Sequence, residues 1–179
     1  MTSPQIKAIL ILDNTDGSRV HAKYFDKNFK ENKTQIDFET NLFAKTRGTF
    51  ARSEADVVML ESSVCVFRSG IDVAFFVCGA LDENELILVN VLDTLYDALN
   101  GILKSHLDKR TLLDNLDLVL LSTDEVVDGG LILETDPVAV SNRVLMKGAT
   151  PSADTPVAEL TIAQASQNAR DQFAKWFRG

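Results

Sequence analysis

A cluster of carboxylates between Asp117 and Asp128 has the residue types most able to do chemistry in this sequence. Paired carboxylates act as acid and base in glycoside hydrolysis, and grouped ones bind calcium. The spacing is not that of an EF-hand loop, because Val126 and Val127 stand where oxygen ligands are needed. Apolar residues here recur at the spacing of one helix face: Leu116, Val119, Leu120, Thr123, Val126 and Val127. We interpret Asp117, Asp124 and their acidic neighbours as the solvated side of an amphipathic helix; an enzyme using them is the alternative.

The other reactive side chains are few and isolated. His21 and His106 lie in no metal-ligand spacing or nucleophile-elbow motif, and we interpret both as surface histidines. Cys65 and Cys78 are predicted to be buried free thiols. Gly129-Gly130 is followed by Leu131, so it does not begin a phosphate-binding loop. We therefore predict no catalytic residue, no cofactor and no metal.

Composition favours a folded, acidic protein. The chain has 179 residues, 45% of them hydrophobic, and a formal net charge of -8. Such a charge disfavours nucleic-acid binding, which needs clustered Lys and Arg. The longest apolar runs are too short to cross a bilayer, and the start lacks the pattern of a signal peptide. These features predict one cytosolic domain with a single core.

The spacing of apolar residues predicts five strands and a first helix. Short links between the last three strands favour antiparallel neighbours, and an Asp-rich turn ending at Gly17 joins the first two. The predicted strands are residues 6–12, 20–24, 57–60, 64–67 and 71–78, and the predicted helix is 34–46.

Three further helices are predicted after the strands. The first has Asn84 as its N-cap and an apolar sector wider than one sheet needs, so part of it is expected to face a partner. The next covers residues 112–128 and stops at Gly129-Gly130. The last begins with Asp136 and Pro137 and ends near residue 146.

The composition changes after Lys147. Residues 148–160 are rich in Pro, Ser, Thr and Ala, which predicts a flexible linker. Residues 161–179 have an apolar row at helical spacing that includes Ile162, Phe173 and Trp176. We interpret this segment as an amphipathic helix that docks on a partner.

The predicted order is β-β-α-β-β-β-α-α-α, which indicates an α+β domain with a five-stranded antiparallel sheet flanked by helices. Three stretches carry a more specific resemblance: "LILDNTDGSRVHAKYF", "FFVCGALDENEL" and "NLDLVLLSTDEVVDGGLILETD". They resemble the small-subunit family of clathrin adaptors and coatomer. The resemblance implies a longin-like domain over residues 1–147.

Within that family, the tail "SQNARDQFAKWF" is similar to the zeta-type subunits of coatomer. The resemblance implies a non-catalytic small subunit of the COPI coat, paired with the trunk of the gamma subunit alongside beta and delta subunits. It implies retrograde Golgi-to-endoplasmic-reticulum and intra-Golgi transport. The expected location is cytoplasmic and peripheral on Golgi membranes, held there through the coat and a small GTPase, with no nucleic-acid partner.

The resemblance also implies a peptide groove. Sigma-type adaptor subunits read acidic dileucine signals there, and the matching apolar positions are Ile71, Val73, Tyr96 and Leu118. Val20 stands where the sigma pattern has an arginine that meets the acidic side of the signal. The charged contact that gives such recognition its specificity is therefore missing, and we keep direct reading of dileucine-like signals as the alternative function.

Overall fold

The computed structural model describes residues 5–50, 54–60, 62–104 and 106–148. Apart from Gly148, the predicted linker 148–160 lies outside the described residues, and so does the predicted helix 161–179 with Ile162, Phe173 and Trp176.

A five-stranded antiparallel sheet forms the centre of the fold, in the order β2-β1-β5-β4-β3. The strands are β1 (Ile6–Asp13), β2 (Arg19–Tyr24), β3 (Asp56–Leu60), β4 (Ser63–Ser69) and β5 (Val73–Gly79). All five predicted strands are confirmed. The last begins two residues later than predicted, because the Gly70 N–H donates to the Val73 carbonyl at 2.7 Å and closes a tight turn that contains Ile71.

Helices cover both faces of the sheet, which makes the α+β prediction correct. The helix α1 (Asn32–Thr46), preceded by a 3₁₀ turn at Lys27–Phe29, covers one face. A cluster that includes Leu42, Phe67 and Phe76 forms the core there. The opposite face holds the larger cluster, which contains the buried residues of the later helices. The central strands β1 and β5 are buried on both faces, as their unbroken apolar runs require.

The helix α2 (Glu85–Ile102) begins at the predicted cap, where the Asn84 side chain accepts from the Leu86 N–H at 2.9 Å. Its wide apolar sector has two neighbours within the chain. One side packs on β4 and β5, and another packs on the helix α4 (Leu116–Val126). Much of the apolar sector is therefore core, with Val89 and Tyr96 half-buried beside it, and the prediction that part of it faces a partner stays a prediction.

The predicted helix 112–128 is wrong in its extent. The structure has two helices, α3 (Lys109–Asp114) and α4, separated at Asn115, which has φ −123° and ψ 38°. The Asn115 amide donates to the Thr111 carbonyl at 2.8 Å. Asparagine competes in this way for backbone groups and disfavours helix interiors.

The glycine pair also has a role that differs from the predicted helix stop. Val127–Asp128 (β6) and Leu131–Ile132 (β7) pair as a hairpin, and Gly129 and Gly130 form its two-residue turn. Their φ angles are 56° and 84°, which suits the type I′ turn that matches strand twist. The last helix, α5 (Pro137–Gly148), starts as predicted, with Asp136 accepting from the Val138 N–H at 2.9 Å.

Cys65 and Cys78 form a disulfide, so the prediction of free thiols is wrong, although both side chains are buried as expected. The register of β4 and β5 places the two residues directly opposite each other. Their Cα atoms are 4.1 Å apart, the close spacing of a non-hydrogen-bonded antiparallel pair. This pairing depends on strand register, which residue spacing alone does not reveal.

Candidate functional site

The carboxylates of α4 are spread around its surface and do not converge. Asp117 and Asp124 are exposed, as the solvated-face interpretation expects. Lys23 of β2 pairs with Asp124, and Arg143 of α5 lies 3.7 Å from Glu125. Within the described residues, no group of three or more His, Cys, Asp or Glu side chains is arranged to hold a metal ion.

We expect the double variant Asp117→Asn, Asp124→Asn to remain folded. It should change the free energy of unfolding by less than about 1 kcal/mol, because exposed ion pairs contribute little. Urea unfolding followed by circular dichroism measures this change. A loss of several kcal/mol would contradict the solvated-face interpretation and give these carboxylates a structural role.

The buried face of α4 agrees with the predicted one in part. Val119, Thr123 and Val126 are buried as predicted, whereas Leu116 and Leu120 are exposed and Ser122 is buried instead. The helix is therefore rotated relative to the stripe with the most leucines. The inward stripe includes two small hydroxyl residues, and the Thr123 hydroxyl donates to the Val119 carbonyl at 2.9 Å, which satisfies it within the helix.

His21 is buried, so its interpretation as a surface histidine is wrong. Only 5% of the residue is exposed, and its Nε2 lies 3.3 Å from the Thr123 hydroxyl. Because Thr123 donates its proton to Val119, the hydroxyl oxygen accepts from His21, and Nε2 carries the ring proton. Burial lowers the pKa of His21 to about 4, helped by the nearby Lys23 ammonium. The imidazole is therefore a neutral part of the interface between β2 and α4 at pH 7.

Arg19 and Lys23 lie on the outer strand β2 and leave it in different directions. A bulge next to Ile11 and Leu12 shifts the pairing of β1 with β2. Arg19 then reaches α1, where it lies 2.7 Å from the Glu39 carboxylate, while Lys23 reaches α4. Neither cation is therefore held ready for an acidic partner.

Glu39 is a buried carboxylate that the sequence patterns did not identify. Besides Arg19, it accepts from the Tyr24 hydroxyl at 2.7 Å. Burial, together with Glu39, raises the pKa of Tyr24. A buried charge requires such partners, so this network ties β2 to α1. The sequence signal for a buried Glu39 was an acidic residue within an apolar helix face. The partners of Glu39 are distant in sequence, so this signal did not reveal them.

The structure places the predicted groove residues unevenly. Ile71 lies in the turn between β4 and β5 and is 85% exposed, whereas Val73 has no exposed surface. Tyr96 and Leu118 are half-buried against the same cluster as Val73. The Arg68 guanidinium lies 4.0 Å from the centre of the Tyr96 ring and covers part of it. A peptide bound at this place would contact Ile71 and the outer parts of Tyr96 and Leu118, but not the buried Val73.

A cleft of about 630 Å³ opens elsewhere, at the end of the sheet where β1 starts and β5 ends. Its lining includes Lys7, Asp26, Asp82 and Glu83, so it holds both signs of charge. Lys7 donates to the Ser62 carbonyl at 2.7 Å and lies 3.9 Å from Asp26. None of the predicted groove residues contributes to this cleft.

Within the described residues, no helix is both long enough and apolar enough to span a membrane.

The fold has a structural match over most of the chain. A chain in a homology model of the full-length AP-3 complex in a stretched open conformation matches with a TM-score of 0.59. The match covers 92% of this chain and 98% of that one, at 15% sequence identity, and shows similarity of fold alone.

Relatives with similar sequences identify the family more closely. The chain is 43% identical to coatomer subunit zeta-1 of Arabidopsis thaliana over 96% of both chains. It is 44% identical to coatomer subunit zeta-1 of Homo sapiens, over 96% of this chain and 91% of that protein. Residues 5–150 match the clathrin adaptor complex small chain family. The chain therefore belongs to the clathrin adaptor complex small chain family, with coatomer zeta subunits among its relatives.

Proposed function

We propose that the chain is the non-catalytic small subunit of a coatomer (COPI) vesicle coat. The observation that carries this proposal is its identity of 43–44% to coatomer zeta subunits over 96% of its length. Similarity over almost the whole chain supports a shared assembly role more strongly than a shared motif would. The dispersed carboxylates of α4 and the buried, neutral His21 are consistent with a protein that binds and does not catalyse.

The proposed partner is the trunk of the gamma subunit, within a larger coat that also contains beta and delta subunits. In this role the chain would support retrograde Golgi-to-endoplasmic-reticulum and intra-Golgi transport. It would be cytoplasmic and reach Golgi membranes through the coat and a small GTPase. Several large apolar side chains lie exposed on the described surface, and an obligate partner of this kind would cover some of them: Met59, Leu86, Leu120, Leu133 and Met146.

Binding to the gamma trunk tests the proposal directly. The tagged full chain is co-expressed with the gamma trunk of the same organism, purified, and examined for a complex with one copy of each. We expect a complex that survives size-exclusion chromatography. A folded chain, judged by circular dichroism, that fails to bind the trunk would overturn the proposal.

The predicted tail helix is proposed to add to this binding. Replacing Phe173 and Trp176 with Ala should weaken the complex about tenfold or more, because aromatic anchors dominate many interfaces. The thermal unfolding of the chain should stay the same, since the changes lie outside the residues of the described sheet and helices. Isothermal titration with the gamma trunk measures the affinity, and Gln172→Ala is the control. An unchanged affinity would show that the tail is dispensable for docking.

Direct reading of dileucine-like signals stays a prediction. The buried Val73 and the covered Tyr96 ring do not favour it, and Val20 is itself buried.

A further inference from the structure

In the described part of the chain, the strand β3 has exposed side chains on one face of the sheet. On that face α2 packs on β4 and β5, and α4 lies towards β2, where Thr123 meets His21. Strands lie about 4.8 Å apart and a helix is about 10 Å wide, so two helices cover roughly four strands. The fifth strand of this sheet is β3, at its edge.

The uncovered side chains of β3 are apolar. Val57 is 45% exposed and Met59 is 61% exposed, although their strand neighbours Val58 and Leu60 pack into the core on the opposite face. We call the surface formed by Val57 and Met59 the β3 ledge. Exposed apolar side chains at a sheet edge are a site for a partner or for aggregation.

The edge of β3 is protected against the addition of another strand. The Val57 N–H donates to the Asp56 carboxylate at 2.8 Å, and the Met59 carbonyl accepts from the Lys45 ammonium at 3.1 Å. These bonds occupy backbone groups that a new strand would need. A partner is therefore expected to use the side chains of the ledge, as an amphipathic helix does in an apolar groove.

Two exposed acidic residues stand at the starts of elements on this side of the chain: Glu54 precedes β3 and Glu85 begins α2. Further along α2, Asp93 lies 3.3 Å from Arg68, whose guanidinium also stacks on Tyr96. Arg68 is therefore paired, and the other cation beside β3, Lys45, is bonded to the Met59 carbonyl. Within the described residues Glu54 and Glu85 form no ion pair, so both can meet a positively charged partner. Complementary charge favours a helix flanked by Lys or Arg.

We propose that the β3 ledge docks an amphipathic helix of the coat's large subunit, with its apolar face on Val57 and Met59 and basic residues beside Glu54 and Glu85. This inference rests on the proposed function, which supplies the large subunit.

Two sets of variants test the ledge, with the gamma trunk as the probe. The double variant Val57→Lys, Met59→Lys places charge on the apolar surface and should weaken binding by at least about tenfold, as expected for central contacts. Met59→Gln keeps the side-chain size without adding charge and should weaken binding by a smaller factor. The control is Ile36→Lys on α1, at a position that is 50% exposed and lies on the helix covering the other face. It should bind like the wild type.

The charged rim is tested separately. Glu54→Lys, Glu85→Lys should weaken binding and reduce its dependence on salt, because it removes the attraction for a basic helix. The control is Asp37→Lys, Asp128→Lys, which changes the net charge equally at exposed acids away from β3. The control should keep the affinity and salt dependence closer to those of the wild type.

The outcomes separate the two proposals. If the folded wild type does not bind the trunk, both are overturned. If the wild type binds and the ledge variants bind equally well, the ledge inference fails and the proposed function stands. Light scattering shows whether the free chain forms a dimer. If it does, and if Met59→Gln abolishes the dimer, the ledge binds a second copy of the chain, and its assignment to the large subunit is overturned. Thermal unfolding of each variant confirms that it is folded.

Discussion

Replacing Gly130 with Ala should lower the free energy of unfolding by about 2–3 kcal/mol, whereas the same change at Gly129 should cost only about 1 kcal/mol. Both glycines have positive φ, so both variants lose the conformational freedom that glycine provides. Only Gly130 also faces a steric conflict. A Cβ there would lie 2.9 Å from the Ile6 carbonyl oxygen, while a Cβ on Gly129 would meet nothing within 4 Å.

The conflict at Gly130 is costly because the backbone around it is tied down. The Ile6 N–H donates to the Gly130 carbonyl at 2.8 Å, and Gln5 bridges to Leu131. Moving the turn to admit a methyl group therefore disturbs the link between the small hairpin and the start of β1. Urea unfolding of both variants measures the difference. Asn tolerates positive φ, so Gly129→Asn should be close to the wild type. Equal losses at the two positions would contradict the close approach of Gly130 to β1.

Lowering the pH from 6.5 to 4 should destabilise the protein by about 3 kcal/mol through His21 alone. The pKa of His21 is about 4 in the folded chain and about 6.5 when the chain is unfolded. Above pH 6.5 the imidazole is neutral in both states, and its contribution to stability is complete. Between pH 6.5 and 4 the unfolded chain binds a proton that the folded chain does not, so stability falls with pH. Below pH 4 both states are protonated, and His21 adds no further loss.

His21→Leu isolates this contribution. Leucine does not titrate, and the Thr123 hydroxyl keeps its bond to Val119. As the pH falls from 7 to 4, the free energy of unfolding of the wild type should therefore decrease by about 3 kcal/mol more than that of the variant. Comparing the two chains removes the effect of carboxylates that titrate in the same range. Urea unfolding at several pH values gives the profiles, with His106→Leu, at an exposed position, as the control. Parallel profiles for wild type and His21→Leu would contradict the burial of His21.

The helix α4 shows which features could be predicted from residue spacing and which could not. The spacing of its carboxylates correctly indicated a helix with a wet side, and Asp117 and Asp124 are exposed there. The same pattern correctly placed Val119, Thr123 and Val126 on the buried side, but it also placed Leu120 there, where the structure buries Ser122. Two stripes of similar periodicity overlap on this helix. Only its packing against β2 and α2 decides which one is buried.

The sequence by itself determined the five central strands, their order along the chain, most of the helices and the family. Apolar alternation and helical periodicity depend on neighbouring residues, so the strands, the Asn84 and Asp136 caps and the positive φ at Gly129-Gly130 could all be predicted. Similarity over nearly the whole chain then identifies a coat small subunit family.

The tertiary structure decided which residues from distant parts of the chain meet. Strand register joined Cys65 to Cys78, a bulge in β2 sent Arg19 to Glu39, and the docking of α4 buried His21. The order of the strands placed β3 at the edge and left Val57 and Met59 uncovered. Each of these outcomes depends on long-range pairing and on the limited width of two helices across five strands. The candidate binding surface was therefore absent from the sequence patterns, although every residue in it was visible.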